Sequence, residues 1–441
     1  MTVSRSGCSA LVAALAACAM VLAGGCGGGG SGGSTVGGSG SQGSGGSGGN
    51  PPPTPGNVVS VIADAGPTDP ANASAGPIQT VNTPFVSVTL CAPGTSNCQT
   101  IDHISVDTGS VGLRVVAAVL SSSLASALTT VMDTRGRPLA ECLPFADGYS
   151  WGSVKLVDAK IGGEQASGIS IEVIGDPAYP TVPSACSSGG AQQEDTVSTF
   201  GANGILGIGN FQQDCGSLCV TETVPQITTQ LYYGCASSAN CVATTVPLAS
   251  QVWNPISKFA TDNNGSILEL PSVASSGAPS ATGSLIFGID TQSNNALGTA
   301  TVLSVDPSTG NLTVNFLGQS FSSSFLDSGS NGNFFTDSSL VPCNPSSSEK
   351  GFYCPPSTQA LSATVTSNSG VTTGTLNFSV ASADALFSNG NGTFYVFNNL
   401  AGTNSLPQSF DFGLSFFFGR NVYTAIESSS TSAGMGPFVA F

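Results

Sequence analysis

The chain has 441 residues, and 40% of them are hydrophobic, enough to bury a sizeable core, while only 8% are charged. Its 57 Gly and 26 Pro disfavour long amphipathic helices and coiled coils and suit short strands joined by turns. Nine Lys+Arg against 25 Asp+Glu give a net charge of -16, the wrong sign for a nucleic-acid binder, whose affinity comes from cationic contacts to phosphate. The balance fits a soluble, secreted or surface protein.

In chain order the first predicted element is an export signal, residues 1–25. Arg5 gives a weakly positive start, and residues 11–23 form an apolar run short for a bilayer span. The run ends in Leu22-Ala23-Gly24-Gly25-Cys26, which resembles a bacterial lipobox, with Ala23 where an aliphatic residue is usual. The resemblance implies lipidation of Cys26 and a membrane anchor in the bacterial cell envelope. The alternative is an ordinary cleaved signal and secretion. Residues 26–56, Gly/Ser-rich and then Pro-rich, cannot bury enough apolar surface to fold and read as a disordered tether.

From residue 57 onward the chain reads as β-rich. Residues 85–90, 284–287 and 312–316 cluster or alternate like strands. Helices are predicted over 117–132 and near 225–233, and a turn over Asp306-Pro307-Ser308-Thr309-Gly310. The expectation is an all-β, two-lobed body, with an N-terminal lobe over 57–270 and a C-terminal lobe over 271–441. The chain has 13 Cys, and setting aside Cys8, Cys18 and Cys26 leaves an even number. Cys91 and Cys98, Cys215 and Cys219, Cys235 and Cys241, and Cys343 and Cys354 lie close in sequence, which leaves Cys142 and Cys186. Five disulfides are expected, with their connectivity open. A zinc site is disfavoured, because no C-x-x-C occurs and His103 is the one histidine.

Two short motifs carry the functional argument: His103-Ile104-Ser105-Val106-Asp107-Thr108-Gly109-Ser110 and Ser324-Phe325-Leu326-Asp327-Ser328-Gly329-Ser330. Each is an apolar strand ending in Asp-[Ser/Thr]-Gly-Ser. One copy is weak evidence in so Ser/Thr/Gly-rich a chain, but two copies after strand-like residues are not. Two carboxyls brought together share a proton. The ionised member can take a proton from water, and the protonated member can donate one to a carbonyl oxygen. Gly109 and Gly329 let the backbone turn tightly, and Thr108, Ser110, Ser328 and Ser330 can orient the carboxyls.

At these residues the sequence resembles the pepsin-like aspartic proteases, over most of the chain after the tether. The resemblance implies a bilobal all-β fold with a few short helices. It implies one catalytic Asp per lobe, Asp107 and Asp327, and no cofactor or metal. An extended peptide or protein substrate would lie in the interlobe cleft, paired in part through its backbone. Such proteases carry an apolar-apolar-Gly element later in each lobe. Gly204-Ile205-Leu206-Gly207-Ile208-Gly209 resembles the first, and Phe417-Phe418-Gly419, followed by residues 420–427, the second. Asp107 to Gly207 and Asp327 to Gly419 are nearly equally spaced, as a duplicated lobe would give. Residues 283–290 resemble the strand that opens the second lobe. Residues 145–152 stand where a flap is expected. Phe145 takes the place of the usual flap Tyr, Tyr149 could serve instead, and Arg114 replaces a Trp that often steadies the flap. The stretch before residue 77 does not look like an inhibitory prosegment, so control by location or pH, and a monomer, are expected.

Rival readings weigh less. Gly148-Tyr149-Ser150-Trp151-Gly152 fits the nucleophile elbow G-x-S-x-G, but that fold needs its His after the Ser, and His103 comes before. His103 reads as structural, and the glycines at 201, 204, 207 and 209 as turns. The serious alternative is a catalytically silent protein of the same fold, a surface lipoprotein that binds a peptide, glycan or protein. A plain β-rich adhesion protein stands behind it.

Overall fold

A computed structural model describes residues 56–441 apart from 147, 188–191, 222–230, 405 and 407. The export signal, Cys26 and the tether up to residue 55 lie outside the described residues. The fold is all-β and bilobal.

The first lobe is wound from antiparallel strands. Pro84–Cys91 pairs with Cys98–Asp107, and Leu139–Pro144 with Gly148–Ile161, which in turn pairs with Glu164–Ile174. Their inward residues, among them Val88, Leu90, Ile104, Val106, Val157 and Ile171, are buried in one core. Beneath the lobes lies a platform. Val58–Ala63 pairs with Ala281–Phe287, which pairs with Gly265–Glu269. Gly265–Glu269 pairs with Asn421–Ala425, which pairs with Phe438–Ala440.

The second lobe is a seven-stranded sheet. Leu312–Phe316 and Gln319–Leu326 form a hairpin, and Gln359–Thr366 and Thr373–Val380 extend it. Its core is a phenylalanine cluster. Phe335 and Phe410 stack at 4.6 Å between ring centroids, and Phe316 and Phe378 meet Phe410 edge-on at 5.6 and 5.7 Å. Aromatic pairs in such offset or edge arrangements add to the stabilisation from burial alone. The cluster backs the strand that delivers Asp327.

The strands expected at 85–90, 284–287 and 312–316 are present, within Pro84–Cys91, Ala281–Phe287 and Leu312–Phe316. The helix expected over 117–132 shrinks to Ser122–Ala127, preceded by the 3-10 turn Ala117–Val119. Ser121 caps it through the Leu124 N–H at 3.3 Å. The β-branched pair Thr129–Thr130 then joins Gly148–Ile161 as strand. The helix expected near 225–233 falls largely outside the described residues, and its end belongs to the strand Tyr232–Ser237.

Five disulfides form, Cys91–Cys98, Cys215–Cys219, Cys235–Cys241 and Cys343–Cys354 between cysteines close in sequence and Cys142–Cys186 between the two left over. They suggest an exported protein. Among the described residues no helix is long and apolar enough to cross a membrane.

Candidate active site

Each Asp motif leaves an apolar strand and turns back at once. Cys98–Asp107 ends at the first carboxyl, and Val111–Val116 carries the chain away. Gly204–Ile208 threads between these arms, parallel to the first, with Gly207 opposite Asp107, and antiparallel to the second. A Cβ on Gly207 would stand 2.8 Å from the Gly112 nitrogen and from Ser110 Oγ, so only glycine fits.

The second half repeats the arrangement with other residues than the sequence suggested. Asp411–Phe412 runs parallel to Gln319–Leu326 and antiparallel to Asn333–Phe334, and the Asp327 N–H donates to the Phe412 carbonyl at 3.0 Å. A Cβ on Gly413 would stand 2.1 Å from the Gly332 carbonyl oxygen. The second threading element is therefore Phe410-Asp411-Phe412-Gly413, not Phe417-Phe418-Gly419. Phe417 ends the helical turn Leu414–Phe417, and the Gly419 N–H is bonded to Leu270 at the platform. The expectation missed because an aspartate interrupts the apolar pattern, whereas Phe417-Phe418-Gly419 satisfies it.

The two loops interlock. The Thr108 N–H donates to Ser328 Oγ at 3.1 Å, and the Ser328 N–H to Thr108 Oγ1 at 3.0 Å. Thr108 Oγ1 donates to the Leu326 carbonyl at 3.1 Å, and Ser328 Oγ to the Val106 carbonyl at 2.8 Å. These four bonds relate the halves by an approximate twofold. The same symmetry governs the carboxyls. Asp107 Oδ1 accepts the Gly109 N–H at 2.7 Å and Asp327 Oδ1 the Gly329 N–H at 2.8 Å. Ser110 Oγ donates to Asp107 Oδ2, and Ser330 Oγ reaches Asp327 Oδ2 at 3.0 Å.

Asp107 and Asp327 are both buried, and near enough for the charge of one to bear on the other. A Cβ on Gly109 would lie 2.5 Å from Asp327 Cγ, and one on Gly329 2.8 Å from Asp107 Cγ. Each glycine therefore makes room for the other half's acid. Burial first, then the charge of Asp107 and then that of Asp411, push the Asp327 carboxyl well above the usual carboxylate range; the Gly329 N–H pulls the other way. A pair with one carboxyl held protonated has the acid and the base of general acid–base chemistry in contact.

A cavity of about 730 Å³ opens beside Gly329. Phe145, Phe200 and Ile205 line it from the first lobe, and Asn331, Phe352 and Tyr395 from the second. A strap that sequence reasoning passed over, residues 64–83 between the first platform strand and Pro84–Cys91, forms a further wall. It touches both lobes: Ser198 donates to Asp69, Asn82 Nδ2 donates to the Asn331 and Phe397 carbonyls at 2.7 and 2.8 Å, and Tyr395 Oη donates to Gln79 Oε1 at 2.6 Å. The strap has no apolar periodicity; its only local signals are turn residues such as Gly66 and Gly76, both at positive φ.

Of the three expected flap residues, Phe145 sits at the hairpin tip, lines the cavity and meets Phe200 at 5.7 Å. Tyr149 and Arg114 do not line it. Tyr149 packs inside the first lobe with Cys142, Trp151, Cys186 and Tyr233. Arg114 is fully buried, with Nη2 at 2.7 Å from Glu141 Oε1 and 3.4 Å from Asp214 Oδ2, and Nε at 3.3 Å from Glu172 Oε2. Burial, then Glu141, push the carboxyls of Glu172 and Asp214 well up. Arg114 is thus the centre of a buried ionic cluster rather than a flap contact. Ser150 lies within a strand, donating to Glu172 at 2.8 Å, and His103 packs on Phe85 at a ring distance of 5.0 Å, away from the carboxyl pair.

Strand order, threaded loops and paired carboxyls define a pepsin-like fold. The chain belongs to a family of proteins of unknown function, DUF3443, whose model matches residues 55–441. No curated protein matches its sequence. Among solved structures it is similar to an aspartic proteinase from Irpex lacteus, at 16% identity and a TM-score of 0.42, over 87% of this chain and 96% of that one.

Proposed function

We propose that the protein is an aspartic endopeptidase. The observation that carries the reading is the interlocked pair, Asp107 and Asp327, each turned by its own glycine and backed by its own serine. Water bound between the carboxyls gives a proton to the ionised member as its oxygen attacks the peptide carbonyl. The protonated member gives its proton to the carbonyl oxygen. The tetrahedral intermediate then collapses, the C–N bond breaks, and the amine leaves with a proton from the pair. Thr108, Ser110, Ser328 and Ser330 hold the carboxyls in place, and Gly109 and Gly329 allow their approach. An extended peptide enters along the cavity beside Gly329, under Phe145. Export and a lipid anchor at Cys26 would put this activity in the cell envelope; the five disulfides support the export.

The test is hydrolysis of an unfolded protein across an acid-to-neutral pH series by the full chain and by Asp107→Asn. The reading expects cleavage by the first and at least a ~10³-fold loss in the second. A hydroxyl-bearing mimic of the tetrahedral intermediate should bind the wild type far more tightly than the variant. Equal cleavage by both, or none by either with peptide still bound, would leave a binding module instead.

A further inference from the structure

The approximate twofold that relates the two loops is broken in two places: the Ser110 N–H donates to Asp107 Oδ1 at 3.2 Å whereas the Ser330 N–H donates to the Asp327 backbone carbonyl, and the threading strands differ at one residue. In the first half the threading strand places Ile205 opposite Ser105, two residues before Asp107. In the second half the corresponding residue, opposite Phe325, is Asp411. Asp411 is 1% exposed, and its Oδ2 stands 2.6 Å from Ser330 Oγ, the same hydroxyl that reaches Asp327 Oδ2 at 3.0 Å.

A serine hydroxyl has one hydrogen to give and two lone pairs to receive. It can donate to one of these carboxyls only. For both contacts to be hydrogen bonds, the other carboxyl must carry a proton and donate it to Oγ. The other Asp411 oxygen, Oδ1, is buried without a partner among the described residues. An anion there would leave a charged oxygen unsolvated, a heavy cost, whereas a neutral carboxyl tolerates it. With two protons on the three acids, Asp411 Oδ2–H donates to Ser330 Oγ and Ser330 Oγ–H to Asp327 Oδ2; with one, the bridge reverses, Asp327 Oδ2–H donating to Ser330 Oγ and Ser330 Oγ–H to Asp411 Oδ2, so the last proton sits on Asp327 between two anions. The charged groups that bear on Asp411 are Asp107 and Asp327, both acids, and the residues paired with it across the sheet are Phe325 and Phe334.

We propose that Asp411 is a third, proton-holding carboxyl of the site, a positioning residue joined to Asp327 through the Ser330 hydroxyl, which keeps Asp327 the proton-carrying member of the pair. In mild acid this unit holds one proton more than the pair alone. As pH rises, the first proton lost leaves a negative charge beside the next and tightens its hold. The pair therefore stays singly protonated to a higher pH than it would with an isoleucine here, as at 205 in the first half. Burial pushes the Asp411 carboxyl well up, and Asp107 adds to the push against the Ser330 donor, in keeping with a neutral group.

The consequence for catalysis rests on the peptidase reading; the titration behind it does not. Two variants of the full chain test it: Asp411→Asn, which keeps shape and a donor but cannot ionise, and Asp411→Ile, which copies the first half. In both, the alkaline limb of the pH–kcat profile should fall by about one pH unit, a roughly tenfold loss of rate at a pH on that limb. In parallel, carbon-13 spectra of aspartate-labelled chain should show the Asp327 carboxyl titrating lower in Asp411→Asn. An unmoved or raised limb in Asp411→Asn, or an effect in Asp411→Ile alone, would reduce Asp411 to a packing residue. An unmoved Asp327 titration overturns the inference whether or not the chain cleaves anything. A shifted titration in a chain without hydrolysis upholds it and sinks the peptidase reading instead.

Discussion

Gly109→Ala tests how closely the two halves meet. The new methyl carbon would stand 2.5 Å from Asp327 Cγ, 2.6 Å from Oδ1 and 2.8 Å from Oδ2, all atoms of one carboxyl held by the Gly329 N–H and Ser330 Oγ. Carbon atoms rest at about 3.5–4.0 Å, so the two must part by about 1 Å. The Asp327 side chain cannot swing away without losing its donors. The movement therefore falls on the loops, against the four bonds through Thr108 and Ser328. Overpacking of this kind costs about 1–3 kcal/mol of stability, and a 1 Å misplacement of reacting groups costs about 10²-fold in rate. Calorimetry reads the first effect, and peptide hydrolysis with binding of the intermediate mimic reads the second. Gly374→Ala is the control, because its Cβ would meet nothing closer than 3.4 Å. A Gly109→Ala chain that melts, cleaves and binds the mimic as the wild type does would refute the claim that Gly109 makes room for Asp327.

Arg114→Met removes the one cation from a buried group of three carboxyls, Glu141, Glu172 and Asp214. Breaking a buried ion pair by deleting one partner costs about 3–5 kcal/mol, so the melting temperature should drop sharply, and more steeply as pH rises toward neutral. A variant as stable as the wild type at neutral pH would count against the cluster as drawn. The raised carboxyls also set the pH dependence of stability. Glu172, Asp214, Asp327 and Asp411 are held above their ordinary values of 4.5 for Glu and 3.8 for Asp. The folded chain keeps protons there that the unfolded chain releases, so their contribution is complete below the ordinary values and is lost as pH rises through the raised ones. Asp69, Asp133, Asp290 and Glu349 are held low by hydrogen bonds that oppose burial, and their contribution is lost as pH falls. Melting temperature should therefore peak in mild acid, roughly pH 4, and decline toward neutral, as scanning calorimetry from about pH 3 to about pH 8 would show. A steady rise to neutral pH would contradict the assignment.

What could be read from the sequence was what repeats or is local. The tetrapeptides at Asp107 and Asp327 appear twice, and the chemistry of a glycine after a carboxyl is legible in four letters. Cysteine pairs such as Cys91 with Cys98 close short antiparallel turns, so proximity in sequence sufficed. The long pair, Cys142 with Cys186, followed by elimination and ties the strand Leu139–Pro144 to a distant loop. What escaped was decided by packing. Arg114 carries the formal charge of a surface residue, and nothing near it in sequence announces Glu141, Glu172 or Asp214 at its side. Tyr149 could face either side of its strand; the first-lobe cluster around Trp151 and Tyr233 took it inward. The strap of residues 64–83 has neither helical nor strand periodicity, and its course is fixed by single polar bonds to far segments, as Asn82 shows at Asn331 and Phe397.

A pair of acids related by symmetry has a difficulty that symmetry cannot resolve, because hydrolysis needs one member ionised and the other protonated. With like surroundings the proton has no preference, and the two roles exchange. The surroundings here are alike in nearly every contact: glycine N–H for glycine N–H, serine for serine, and the crossed bonds of Thr108 and Ser328. One difference lies in the loops, where the Ser110 N–H donates to Asp107 Oδ1 but the Ser330 N–H to the Asp327 backbone carbonyl; the other lies one layer below, where Ile205 stands in one half and Asp411 in the other. An apolar side chain leaves the Ser110 hydroxyl to serve Asp107 alone, whereas a carboxyl at 2.6 Å makes Ser330 a shared bridge. An asymmetry that the chemistry can use thus sits where the threading strand departs from its apolar pattern. That departure is the same one that hid the element in the sequence.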